Sequence, residues 1–180
     1  MPAIHEGASV LANAVRLAVA ARALGVPVWG TEQNPAGLGE TVGDLRPLLG
    51  NIIQKMQFSA AEELLERLRA PARAAQGGNA RSLPKHLQKV VPAAPRGSIV
   101  MAGCEAHVCL LQTALDLLDE DMEVWVVTDA CGSRTERNRD AAFDRLAGAG
   151  AELVTTEMVA FEWLRTADHP QFRDVLTLIK

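Results

Sequence analysis

Ile99-Val100-Met101-Ala102-Gly103-Cys104-Glu105-Ala106-His107-Val108-Cys109 is the stretch that decides the fold. Its first four residues are apolar without alternation, which marks a strand covered on both faces. Gly103 permits a tight turn, and apolar spacing then switches to that of a helix over 107–118. The same unit repeats toward the C-terminus. A strand at 124–127 leads to a helix over 136–147, and a strand at 153–155 leads to a helix over 158–166. Pro170 sits where a first helical residue belongs, with Asp168 or His169 capping, and a last helix covers 171–179. Toward the N-terminus, Val10, Leu11, Ala14, Val15, Ala18, Ala21 and Leu24 recur at helical spacing and Gly25 ends that helix. A short strand is expected at 26–31, a long structured loop at 32–50 and another strand at 51–54. Ser59 and Glu62 form a capping-box pattern for a helix over 59–70, with Glu63 and Arg67 spaced for a weak ion pair.

Buried strands alternating with helices imply a three-layer α/β sandwich, a parallel sheet with helices on both faces. In such sheets the site lies beyond the carboxyl ends of the strands. That places Thr31, Glu32, Lys55, residues 103–109 and residues 129–134 at the candidate site. Residues 71–97, rich in Ala, Pro, Arg and Gly, read as a mobile surface insertion within a single domain spanning 1–180, with one short helix around His86.

Composition narrows the function classes. A chain of 180 residues fits one domain with a real core. The net charge of −4 carries no basic footprint for nucleic acid or an anionic membrane, and aromatics at 4% with no Tyr offer few stacking platforms. There is no basic start followed by an apolar run, and no apolar stretch long enough to span a bilayer, so a cytoplasmic location is expected. Three cysteines, an odd number, then read as free thiols. No CxxC, HExxH or DxHxH pattern occurs, and Ala147-Gly-Ala-Gly-Ala is no dinucleotide fingerprint. Neither a metal nor a cofactor is expected.

On residue types alone, Cys109 is the chemical candidate. It falls in the first turn of a helix, where free backbone N–H groups favour a thiolate and can hold an oxyanion. The bland alternative is a buried cysteine packing as a small hydrophobe.

Gly103-Cys-Glu-Ala-His-Val-Cys-Leu-Leu-Gln-Thr-Ala-Leu-Asp-Leu-Leu resembles the nucleophile segment of the isochorismatase-like cysteine hydrolases. Thr31-Glu-Gln-Asn-Pro-Ala-Gly-Leu-Gly, Lys55-Met-Gln-Phe-Ser-Ala, Val127-Thr-Asp-Ala-Cys-Gly-Ser-Arg, Thr156-Glu-Met and His169-Pro-Gln-Phe resemble other segments of that family in the same order. The similarity lies closest to the isochorismatase domain-containing subgroup and covers most of the chain outside 71–97. It implies a Rossmann-like fold, Cys109 as nucleophile and Lys55 as its cationic partner. It further implies an oxyanion hole from the backbone N–H groups of Glu105 and Cys109, and a cis peptide between Cys104 and Glu105. The family aspartate would stand on a strand just before Met1, so the first strand is expected to be missing from these residues. Glu6, Glu32 and Asp44 do not match its motif.

Thr31, Glu32, His107 and Asp129 are candidate pocket residues, although His107 also reads as a polar residue of the helix start and Asp129 as a cap. Cys104 is expected to be buried, Cys131 to be a loop thiol, and His5, His86 and His169 to be surface or capping residues. The helix start and Lys55 together predict that Cys109 is the low-pKa thiol. The reading is a hydrolase that cleaves an amide or related C–N bond of a small molecule through an acyl-enzyme, as a homo-oligomer. Its alternative is a non-catalytic binding or scaffold protein of the same fold. A thiol redox protein is weaker for want of a resolving cysteine pair.

Overall fold

The structure, a computed structural model, describes residues 1, 3–69 and 97–180. The chain begins with α1 (Gly7–Ala23), β1 (Trp29–Gln33), the short α2 (Pro35–Leu38), a 3₁₀ turn at Arg46–Leu48, β2 (Asn51–Lys55) and α3 (Ala61–Arg69). It continues with β3 (Ser98–Cys104), a π-helical turn at Ala106–Leu110, α4 (Leu111–Asp119) and β4 (Glu123–Gly132). The last elements are α5 (Glu136–Gly148), β5 (Glu152–Val154), α6 (Thr156–Leu164) and α7 (Phe172–Ile179). The fold is α/β, and every strand pair is parallel.

Strand β4 shows why two helical layers form. Its residues alternate between the faces of the sheet. Val124 and Val126 join Leu117, Leu146 and Ala114 on the side of α4 and α5. Trp125 and Val127 join Leu17, Val154 and Val159 on the side of α1 and α6. Leu117 is fully buried. Leu117→Ala is expected to cost about 2–5 kcal/mol through lost burial and the cavity left behind. Urea unfolding checks this: the midpoint should fall with an unchanged slope.

Several expected boundaries move. The first strand starts at Trp29 rather than 26, because Val28 accepts a hydrogen bond from Gly50 N (2.8 Å) outside the ladder. The helix after β3 opens with a π turn. β4 runs on to Gly132, with five steps from Val126 to Cys131 opposite only two from Met101 to Gly103. The capping pattern is also partial, since Ser59 Oγ accepts from Ala61 N (3.2 Å) while Ala60 N donates to Thr113 Oγ1 (3.0 Å). The expected insertion and the short helix around His86 lie outside the described residues, Gly97 apart. No helix among the described residues is long and apolar enough to cross a membrane.

The strands form two sheets, β1–β2 and β3–β4–β5. Among the described residues, β1 and β3 each pair on one side only. β3 is apolar yet exposes Ala102 and Cys104 along its length. An apolar strand with an unpaired edge is open to a further strand.

Candidate active site around Cys109

Three strand ends converge at the site. β1 delivers Gln33, β2 delivers Lys55, and β3 runs through Gly103 into the turn that carries Cys109. The register pairs Gln33 with Lys55 directly. Alternation along β1 then puts Thr31 and Gln33 on one face and Glu32 on the other.

Lys55 is buried at 6% exposure, and its ammonium spends all three donors nearby. Nζ donates to Gln33 Oε1 at 2.7 Å, to Gln57 O at 2.8 Å and to Phe58 O at 2.6 Å. Cys109 Sγ lies 4.0 Å from the same Gln33 Oε1, at the far limit of a thiol hydrogen bond. Gln33 Nε2 donates to Met56 O at 2.5 Å. Thus one glutamine amide stands between the sulfur and the ammonium. Thr113 Oγ1 fixes the turn from behind. It donates to Cys109 O at 2.7 Å while accepting from Ala60 N, so the start of α3 and the cysteine turn share one hydroxyl.

Burial pushes the Cys109 thiol above its ordinary pKa, and the nearby Glu105 carboxylate adds to this while Lys55 opposes it. Burial also holds the Lys55 ammonium below its ordinary value, against the favourable influence of Cys109 and Glu63. The expectation of a low-pKa Cys109 is therefore corrected: loss of water around the sulfur outweighs the cation. Even so, Cys109 is the thiol with lysine beside it. Cys131 is no loop thiol but a buried residue of β4, pushed to about 12 chiefly by burial. Cys104 was expected to be buried and is instead an exposed residue on the open edge of β3. Its sulfur nevertheless turns toward Gly132, and burial of that sulfur raises its pKa, against the hydrogen bond with the Gly132 backbone, which lowers it.

The Cys104–Glu105 peptide is cis. Arg134 Nε donates to Glu105 Oε1 at 2.8 Å. His107 Nδ1 is 2.9 Å from the buried Ser133 Oγ, and its Nε2 faces Arg134 Nη2 at 3.5 Å and Asn138 Nδ2 at 3.4 Å. This polar cluster borders the turn two residues before the thiol.

The other candidates hold the frame. Asp129 Oδ1 accepts from Thr156 N (2.8 Å) and Thr156 Oγ1 (2.9 Å), while its carbonyl accepts from Asn13 Nδ2 (2.9 Å), so it ties β4 to α6 and α1. Thr31 is exposed on β1. Glu32 is buried and turned to the loop, where Oε1 accepts from Thr41 N (2.7 Å), Thr41 Oγ1 (2.8 Å) and Arg46 Nη1 (3.1 Å). Among the described residues, no group of three His, Cys, Asp or Glu side chains could hold a metal ion.

The Thr41 amide, then its hydroxyl, hold the Glu32 carboxyl below its ordinary pKa, with Gln54 and Arg46 helping against burial. A depressed folded pKa means that the unfolded chain binds more protons below the ordinary glutamate range. Its stabilisation is therefore present above that range and is lost as pH falls through the folded value. Glu32→Gln should flatten the acid limb of stability against pH. Urea midpoints from about pH 6 down to about pH 3 check this.

Ser133 falls within the segment 129–134 expected at the site, whereas Gln33 and Thr113 are not among the expected site residues. Thr113 had a signal, since a threonine four residues after Cys109 can bond back to its carbonyl. Gln33 and Ser133 act through contacts with distant segments.

The family that matches is the isochorismatase domain, over residues 1–158. The mouse isochorismatase domain-containing protein 2A is 35% identical over 179 residues, covering 99% of this chain and 76% of that protein. A solved structure described as MAR1 ribonuclease from Caenorhabditis elegans superposes with a TM-score of 0.81 at 33% identity, covering 98% of this chain and 81% of the other. YcaC from Pseudomonas aeruginosa, solved with hexane-2,5-diol and covalent acrylamide, superposes with a TM-score of 0.75 at 25% identity, covering 94% of this chain and 77% of the other.

Proposed function

The chain belongs to the isochorismatase family, and from that premise we propose that it is a cysteine-dependent hydrolase of small molecules, cleaving an amide or related C–N bond. The observation that carries the reading is the shared Gln33 oxygen: it brings the Cys109 sulfur and the Lys55 ammonium to one point at the carboxyl ends of three strands.

In this mechanism the Cys109 thiol gives up its proton and the sulfur attacks the substrate carbonyl carbon. The backbone N–H groups of Glu105 and Cys109 meet the resulting oxyanion. Collapse of the tetrahedral adduct breaks the C–N bond, the amine leaves with a proton, and water hydrolyses the thioester. The proton given up by the thiol is the one the departing amine carries away.

The P. aeruginosa neighbour carries covalent acrylamide, itself a small electrophilic amide, which supports offering such amides to this chain. The ribonuclease activity in the C. elegans protein's name is not carried over, because a chain of net charge −4 is poorly suited to a polyanion. Self-association and a cytoplasmic location complete the proposal. For the first, Met56 and Phe58, which follow Lys55, are large apolar side chains left exposed.

A panel of small amides and anilides tests the reading. The expected result is hydrolysis of at least one member above the rate of a Cys109→Ala control. Binding of panel members without turnover would overturn it in favour of a scaffold.

A further inference from the structure

We infer that Gln33 is a positioning residue that keeps Cys109 as an uncharged thiol at rest, by presenting one carbonyl oxygen to both the sulfur and the Lys55 ammonium. The orientation of the amide follows from its partners. Met56 O can only accept, so the nitrogen of Gln33 must face it. Lys55 Nζ can only donate, so the oxygen must face the ammonium. A flipped amide would set two donors together at one end and two acceptors together at the other. The sulfur thus meets the negative end of the amide dipole, which favours S–H over a thiolate.

The same bond diverts the lysine. With Gln57 O and Phe58 O taking its other two protons, the ammonium aims no N–H at the sulfur. Lys55 therefore acts on Cys109 as a charge behind an amide, not as a direct donor.

Among the described residues, the other charged groups acting here are few. Glu105 bears on Cys109 from the loop after β3 and is itself paired with Arg134. Glu63 of α3 bears on Lys55. On the α5 side, Asn138 faces His107 rather than the thiol. Burial, with Glu105 adding to it, already raises the Cys109 pKa against Lys55, and the Gln33 oxygen acts on top of these. The inference rests on the reading of Cys109 as nucleophile, but its test does not need turnover.

The test is the pH dependence of Cys109 alkylation by iodoacetamide, followed by peptide mass mapping, in wild type, Gln33→Met and Gln33→Glu. Gln33→Met removes the oxygen, frees one N–H of Lys55 for the sulfur and should move the profile to lower pH. Labelling near neutral pH should then be about three- to tenfold faster, allowing for the weaker nucleophilicity of a more acidic thiol. Gln33→Glu keeps the shape, places a carboxylate at the shared point and should move the profile to higher pH. A residue that only supports the fold would change the melting temperature and leave both profiles where they were. An unmoved profile in Gln33→Glu, or a profile moved upward in Gln33→Met, would overturn the inference. If both profiles move as expected while no amide is hydrolysed, the inference stands and the hydrolase reading fails.

Discussion

Under the proposed mechanism, Cys109→Ala is expected to lower amide hydrolysis by on the order of 10³-fold or more, because it removes the sulfur that forms the covalent intermediate. Neither remaining thiol can substitute. Cys131 is buried in β4 and held at about 12, and Cys104 has its sulfur turned toward Gly132. The substitution should leave the fold intact, since Cys109 is only half-buried and alanine suits the helical turn that carries it. A normal melting transition together with lost turnover is therefore the signature. Substantial residual turnover would remove Cys109 from the chemistry.

Lys55→Met is expected to injure both stability and activity. The replacement fills similar space but leaves Gln33 Oε1, Gln57 O and Phe58 O without their shared donor. Each buried acceptor left unmade costs about 1–3 kcal/mol, less where water reaches it. Lys55 is also the group that lowers the Cys109 pKa, so its loss should push the thiol still higher. Removing a fixed charge from a reacting centre lowers turnover by about 10²–10³-fold. Calorimetry, alkylation and kcat/KM on one preparation separate these effects. Unchanged alkylation in a folded Lys55→Met protein would show that the lysine serves structure alone.

The parallel α/β architecture was legible because burial on both faces leaves runs such as Val124-Trp-Val-Val that no amphipathic pattern imitates. The turn from β3 toward Cys109 was legible for a local reason: an apolar run, then Gly103, then helical spacing. What escaped was non-local. The strand expected from residue 26 begins its ladder only at Trp29. The division into two sheets depends on which edges meet, and that has no signature in a single strand. Three extra residues between Val126 and Cys131 lengthen β4 past its apolar run, which turned the supposed loop thiol Cys131 into a core residue. Glu32 was placed at the site by its position at a strand end, but the alternation of β1 turns it to Thr41 and Arg46 and gives the facing position to Gln33. The acidity of Cys109 was misjudged because the charge of Lys55 can be read in a sequence while the burial that outweighs it cannot.

The most direct measurement is capture of the acyl-enzyme. An activated aryl ester or anilide is mixed with the wild-type chain, quenched in acid during turnover, digested and mapped by mass. Added mass equal to the acyl group is predicted on the peptide bearing Cys109, with none on that peptide in Cys109→Ala. Acyl groups confined to Cys104 or Cys131, or steady hydrolysis with no acyl group on any cysteine, would contradict the account.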